Sequence, residues 1–193
     1  ASSGGDSSTV REQLAEDVQR IYSTASAFAA VKGDGSVVTW GCDSDGGSSS
    51  AVREQLAEDV QRIYTTAFAF AAVKSGGSVV TWGDARFGGD SSAAREKLIE
   101  DVQRIYSTEC TFAAVRGDGS VVTWGDTDAG GDSSAVREQL VGDVQRIYST
   151  PLAFAAVRGD GSVVTWGDEW FGGDRSAVRE QLVEDVLRIY STD

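Results

Sequence analysis

Two spacings of apolar residues alternate along the chain. In the stretch 51–60, Val52, Leu56 and Val60 stand four apart, with Arg53, Glu54 and Glu58 between them. That pattern predicts a helix of two to three turns with one buried stripe, and good helix formers fill it. Asp90-Ser91-Ser92 precede the equivalent run further on, and Ser or Asp there can accept a bond from a free first-turn N–H. The next stretch, Val60-Gln61-Arg62-Ile63-Tyr64-Thr65-Thr66, is rich in β-branched and aromatic residues. Its Val-x-x-Ile spacing fits a helix end or a bulged strand, and we read it as a strand.

A hairpin follows. Ala27-Phe28-Ala29-Ala30-Val31-Lys32 and Ser36-Val37-Val38-Thr39-Trp40 flank Gly33-Asp34-Gly35. Asp-Gly between apolar runs is a strong hairpin signal, on the reading that both turn residues take positive φ. Gly76-Gly77 stands at the turn of the next copy. Ala29 and Val31 alternate with Phe28 and Ala30, so both faces of the hairpin are apolar. Strands of that kind are covered on both sides, and the small alanines let neighbouring sheets approach closely.

These elements recur with one period. Trp40, Trp82, Trp124 and Trp166 each lie 42 residues after the last. Leu14, Leu56, Leu98, Leu140 and Leu182 keep the step, as do Ile21, Ile63, Ile105, Ile147 and Ile189. A fixed period of roughly 20–50 residues marks solenoids, propellers and arrays. The expectation is one array over 1–193, with units at 8–49, 50–91, 92–133 and 134–175 and a partial unit at 176–193. The fold class is a β-rich α+β tandem repeat of propeller-like blades, three strands and one short helix per unit. A closed ring, an open arc and a solenoid segment all remain open. Gly4-Gly5-Asp6 match Gly88-Gly89-Asp90, and Asp193 stops before a fifth hairpin. The chain therefore reads as a piece or processed product of a longer array, with unmatched apolar faces at its ends.

The stretch Val18–Gly41, ending in Phe28-Ala-Ala-Val-Lys-Gly-Asp-Gly-Ser-Val-Val-Thr-Trp40-Gly41, resembles the repeat of the regulator-of-chromosome-condensation family. A small-residue strand, an Asp-Gly turn and an apolar strand closing on Trp-Gly carry the resemblance. It implies β-propeller blades and a family whose members mostly bind proteins. The family's Gly-rich turn and His before the second strand have no counterpart, since Ser23-Thr24-Ala25-Ser26-Ala27 stand there. Nothing matches the residues that exchange nucleotides on small GTPases, so an exchange-factor-like role is a distant alternative.

Composition narrows the chemistry. With no His, the usual general base, most zinc sites and the familiar nucleophile triads are absent. Carboxylate pairs such as Glu58-Asp59 sit side by side toward solvent. Asp126-Thr127-Asp128-Ala129-Gly130-Gly131-Asp132 has the look of a calcium loop, but Arg86 and Trp170 stand where equivalent units need the second ligand. No cofactor and no metal are expected. Net charge is −13, with 30 acidic and 17 basic residues, the latter spread singly. Nucleic-acid binding wants clustered Lys and Arg, so no nucleic-acid partner is expected. The longest apolar run, Ala67–Val73, is far short of the ~20 residues of a membrane helix, and membrane insertion is not expected. Cys42 and Cys110 read as free thiols.

Variation between the units concentrates in two patches. One precedes the second strand of each unit: Ala25-Ser26, Ala67-Phe68, Glu109-Cys110 and Pro151-Leu152. The other follows Trp-Gly: 42–45, 84–87, 126–129 and 168–171. An antiparallel hairpin brings both to one rim. That rim carries Phe68, Arg86, Phe87, Leu152, Trp170 and Phe171, the residue types that dominate interface hot spots. The expectation is a non-catalytic scaffold that binds a protein partner through the rim. The alternative is a structural or peripheral subunit that docks by its ends into a larger assembly, including self-association through the end repeats.

Overall fold

The computed structural model describes residues 5–174. Leu182, Ile189 and the partial unit expected over 176–193 lie outside the described residues. The chain forms two compact units, Ala1–Glu100 and Asp101–Asp193. The first holds two three-stranded antiparallel sheets, or blades: β1 (Val18–Ser23), β2 (Ala27–Lys32) and β3 (Val37–Gly41), then β4 (Val60–Thr65), β5 (Ala69–Lys74) and β6 (Val79–Gly83). The second holds β7 (Val102–Ser107), β8 (Thr111–Arg116) and β9 (Val121–Gly125), then β10 (Val144–Ser149), β11 (Ala153–Arg158) and β12 (Val163–Gly167). In each blade the strands lie in sequence order, as propeller-type blades do.

The first strand of each blade carries a bulge. Val60 pairs with Lys74 and Arg62 with Val73, leaving Gln61 as the extra residue. The bulge turns Val60 and Ile63 to one face, where both are buried, while Gln61 and Arg62 face water. The Val-x-x-Ile spacing is thus that of a bulged strand. Just before it, Asp17, Asp59, Asp101 and Asp143 take φ of 65°, 66°, 66° and 64°. Their carbonyls accept the N–H of Gly33, Ser75, Gly117 and Gly159 at 2.9–3.0 Å, which ties the chain entering each blade to its own hairpin.

The hairpin turn differs in one respect from the expectation. Gly35 N donates to the Lys32 carbonyl and Lys32 N to that of Ser36. Gly35 has φ 78°, whereas Asp34 is not at positive φ. The loop is a type I turn closed by one left-handed glycine. Positive φ at both turn residues is not needed, because the three-residue loop places the strain on the last. Asp34 instead accepts the Ser36 N–H at 2.8 Å, and blade two repeats the backbone with Gly77 alone at φ 76°.

The helix between blades is reduced to 3-10 turns at Ser50–Val52, Ser92–Lys97 and Ser134–Leu140. Short pieces of this kind suit a connector, and here the connector is held at both ends. At its start Asp90 and Asp132 accept the N–H of Ser92 and Ser134, each at 2.8 Å. At its end the Leu56 and Leu98 carbonyls accept the N–H of Val37 and Val79 at 3.0 and 2.9 Å. The expected stripe survives: Leu56 and Val60 are buried and Val52 half-buried, with Arg53, Glu54 and Glu58 exposed.

Within each unit the core sits between its two blades. In the first, Ala27, Ala29 and Val31 of blade one pack with Leu56, Val60, Ile63, Phe70, Val80 and Trp82. In the second, Ala113 packs with Leu140, Val144, Ile147, Phe154, Val164 and Trp166. Each buried Val, Leu, Ile or Phe among them contributes about 1.5–3 kcal/mol by leaving water. The junction has a polar lock. Trp82 Nε1 donates to the Gly46 carbonyl at 3.0 Å, and Trp166 Nε1 to that of Gly130 at 3.2 Å. Each indole also stacks on a phenylalanine of its own blade, Phe70 at 5.0 Å and Phe154 at 5.1 Å between centroids. Gly46 and Gly130 have φ of 96° and 98°. A Cβ on Gly46 would stand 2.5 Å from the Phe70 ring, so the ring pair demands glycine beneath it.

Two outcomes follow from this geometry. Gly46→Ala is expected to cost about 1–2 kcal/mol for the left-handed backbone and about 1–3 kcal/mol more for displacing the ring pair. Gly172→Ala has the same backbone, φ 99°, but open space around its Cβ, so only the first cost applies. Urea unfolding of both variants in dilute solution checks the difference. By the same method, Asp143→Val should lose about 1–3 kcal/mol, since a β-branched residue is strained at positive φ. Asp143→Asn should be close to neutral, because Asn tolerates that backbone.

Candidate binding surface

The two variable patches meet in every described blade. The last pairs of the hairpin, Ala27 with Gly41 and Ala69 with Gly83, bring the start of one strand beside the end of the next. Backbone bonds continue the ladder into the loops. Cys42 N donates to the Ser26 carbonyl, Asp84 N to Phe68, Asp126 N to Cys110 and Asp168 N to Leu152, at 2.9–3.2 Å.

A threonine hydroxyl fixes the pairing. Thr66 Oγ1 accepts the Ala69 N–H at 3.0 Å and donates to the Phe87 carbonyl at 3.0 Å. Thr24 and Thr150 do the same, donating to the carbonyls of Asp45 and Phe171 at 3.1 and 2.8 Å. These threonines were not singled out from the sequence. Their signal is there, since Thr24, Thr66, Thr108 and Thr150 keep the 42-residue step inside the variable neighbourhood.

In the first unit Phe68, Arg86 and Phe87 come together. The two phenylalanine rings lie 4.7 Å apart between centroids and tilted by 41°. The Arg86 guanidinium stands over Phe87 at 5.1 Å from its centroid. Asp84 holds that guanidinium through Nε and Nη2, at 3.3 and 3.0 Å, and also accepts the Arg86 backbone N–H. The side-chain bond from Arg86 keeps the Asp84 carboxyl below the ordinary range, against the opposing effect of burial. Arg86 is exposed and Phe68 and Phe87 half-buried, so the cluster is preassembled and open to solvent.

In the second unit Leu152 is half-buried, Phe171 is 43% exposed and Trp170 is 88% exposed. Their loop is a 3-10 turn, Glu169–Phe171, capped by Asp168, which accepts the Trp170 N–H at 2.8 Å. A rigid turn thus presents an indole almost wholly to water. Large apolar side chains so exposed mark interaction sites when they belong to a patch.

No group of three or more His, Cys, Asp or Glu suited to a metal occurs among the described residues. Asp126 instead accepts the N–H of Asp128 and Ala129 as a turn cap. Cys42 and Cys110 are free and half-buried. Burial, with help from Asp126 and Glu109, pushes the Cys110 thiol up, which disfavours the nucleophilic thiolate at neutral pH. No helix among the described residues is long and apolar enough to cross a membrane.

No protein-family model matches the chain. No curated protein matches it either. Solved structures do. Prp20p from Saccharomyces cerevisiae, described with its binding to Gsp1p and histones, aligns at a TM-score of 0.56 and 17% identity, over 86% of this chain and 47% of that one. Yeast RCC1 (Prp20) in a structure with Kap60 aligns at a TM-score of 0.54 and 15% identity, over 83% and 45%. The chain spans about half the length of these structures. At such identity the likeness concerns the fold, and the fold is the one the Asp-Gly hairpin and Trp-Gly closure point to: tandem propeller-like blades of the chromosome-condensation-regulator type.

Proposed function

We propose that the chain is a non-catalytic scaffold that binds a protein through its variable rim. Phe68, Arg86 and Phe87 form one contact cluster, and Leu152, Trp170 and Phe171 form another. The observation that carries this reading is the 88% exposure of Trp170 on a capped, hydroxyl-pinned turn. Tryptophan and arginine are the residue types most enriched at interface hot spots, and a preordered backbone lowers the entropy lost on binding. The yeast neighbour binds Gsp1p, histones and Kap60. Such binding makes protein partners a natural use of this blade architecture. The net charge of −13 favours a partner with a basic surface around the apolar contact.

A photo-crosslinking residue at Phe171, compared with one at the exposed, off-rim Arg53, identifies what the rim touches. Affinity for a partner so identified is then measured with Trp170→Ala and Phe87→Ala. Each is expected to weaken binding by at least about tenfold, as hot-spot truncations do. Full binding by both variants would falsify the rim assignment.

A further inference from the structure

The rim changes character from blade to blade in a fixed order. In the first unit, the loops of blade one carry Ala25, Ser26 and residues 42–45, with Asp43 exposed, Asp45 half-buried and neither ring nor cation present. Those of blade two carry the Phe68–Phe87 pair and Arg86, whose charge Asp84 offsets. The second unit repeats the order. On blade three Glu109 and Asp128 are exposed beside Asp126, again without ring or cation at 109–110 and 126–129. On blade four stand Leu152, Trp170 and Phe171. Each unit thus presents an acidic half first and an apolar half second.

A backbone bond joins the two halves. Ala25 N donates to the Ala67 carbonyl at 2.9 Å, which sets blade one's loop against the residue before Phe68. Thr24, one residue earlier, donates its hydroxyl to the Asp45 carbonyl at 3.1 Å. In the second unit Glu109 N donates to the Pro151 carbonyl at 2.9 Å, against the residue before Leu152. There Asp126 N donates to the Cys110 carbonyl at 3.2 Å, which draws the second acidic loop to the same place. Acid and anchor are therefore neighbours through a few hydrogen-bonded residues, on a backbone fixed by these bonds.

We propose that the rim of each unit is one two-part site for a peptide segment in which Lys or Arg stands beside a Leu or aromatic anchor. The anchor seats on Phe68 and Phe87 in the first unit and on Leu152 and Trp170 in the second. The cation lies over the carboxylates of the blade before. This rests on the rim reading above, and gives the occupant a chemistry and a direction. An acidic segment would meet like charge at Asp43 and Asp128. An uncharged one would strip water from those carboxylates and return nothing. Exposed ion pairs add little each, so the anchor supplies most of the affinity. The acids supply selection and speed of encounter. Because Asp84 already offsets Arg86, the apolar half of the first unit does not repel the arriving cation.

Fluorescence anisotropy on the full chain tests this with three short labelled peptides. One joins a Lys and Arg half to a Leu and Phe half. The second has Glu in place of Lys and Arg, and the third has Ser in place of Leu and Phe. The first is expected to bind at least about tenfold more tightly than either of the others at low salt, and to weaken as NaCl rises. Phe87→Ala with Trp170→Ala removes an anchor contact from both units and should weaken its binding at least about tenfold. Asp43→Lys with Asp128→Lys should weaken it on the order of fivefold and flatten its salt dependence. Glu54→Lys with Glu58→Lys makes the same change of net charge on an exposed connector, and should leave binding as it was. Circular dichroism checks the fold of every variant. Equal binding of the Glu peptide overturns the basic occupant and leaves the rim reading standing. Equal binding of the Ser peptide reveals charge attraction alone and overturns the proposal too. No binding of the first peptide, or an equal loss in the connector variant, also rules it out. Crosslinks from Phe171, with the single Trp170→Ala and Phe87→Ala affinities, judge the rim reading by itself.

Discussion

The indole that reaches across to a left-handed glycine is the interaction on which the arrangement depends. A β-blade with two apolar faces cannot stand alone in water, so each face needs a neighbour. Trp82 on Gly46 and Trp166 on Gly130 supply both parts of that contact, ring area and a directed hydrogen bond. The glycine is needed twice over, for its backbone conformation and for the ring that lies where a side chain would be. Because the bond runs from one blade to the loop leaving the one before, it fixes the order in which blades can join.

The rim is built on the same frame and owes little to it energetically. Its backbone is held by the hairpin ladder, by Asp84, Asp126 and Asp168 at the start of their loop turns and by the threonine hydroxyls. Its side chains are then spent on display. In one unit an arginine is clamped flat over a phenylalanine, and in the other a tryptophan stands in water. The Asp84 clamp thus orders a side chain that stands largely in solvent.

Much of this was legible from spacing alone. The 42-residue step of the tryptophans announced the blades, and the alternation of Phe28, Ala29, Ala30 and Val31 announced strands buried on both faces. Antiparallel pairing then put the variable patches together without further assumption. What escaped had a different physical origin in each case. The connecting run 51–59 is composed of helix formers, yet its last residues are tied to neighbouring hairpins through the Leu56 and Asp59 carbonyls, and only a 3-10 turn forms. The turn at Asp34 needs one positive φ and not two, because loop length, and not the dipeptide, selects the turn type. Aspartates at positive φ before each first strand have no composition signal at all. The role of the tryptophans as donors to a neighbouring loop was hidden for another reason: a period shows that units repeat, not which groups face each other across them.

The threonine pins have a consequence for change. Thr66 and Thr150 hold the loop backbone through its carbonyl and through the strand's N–H. Residues 67–68 and 85–87 can therefore be exchanged while these bonds and the Asp84 cap stay in place, which makes each blade a socket with replaceable contents. Backbone shape and displayed side chains are thus set by separate residues, and a rim carrying new side chains would inherit its backbone bonds intact.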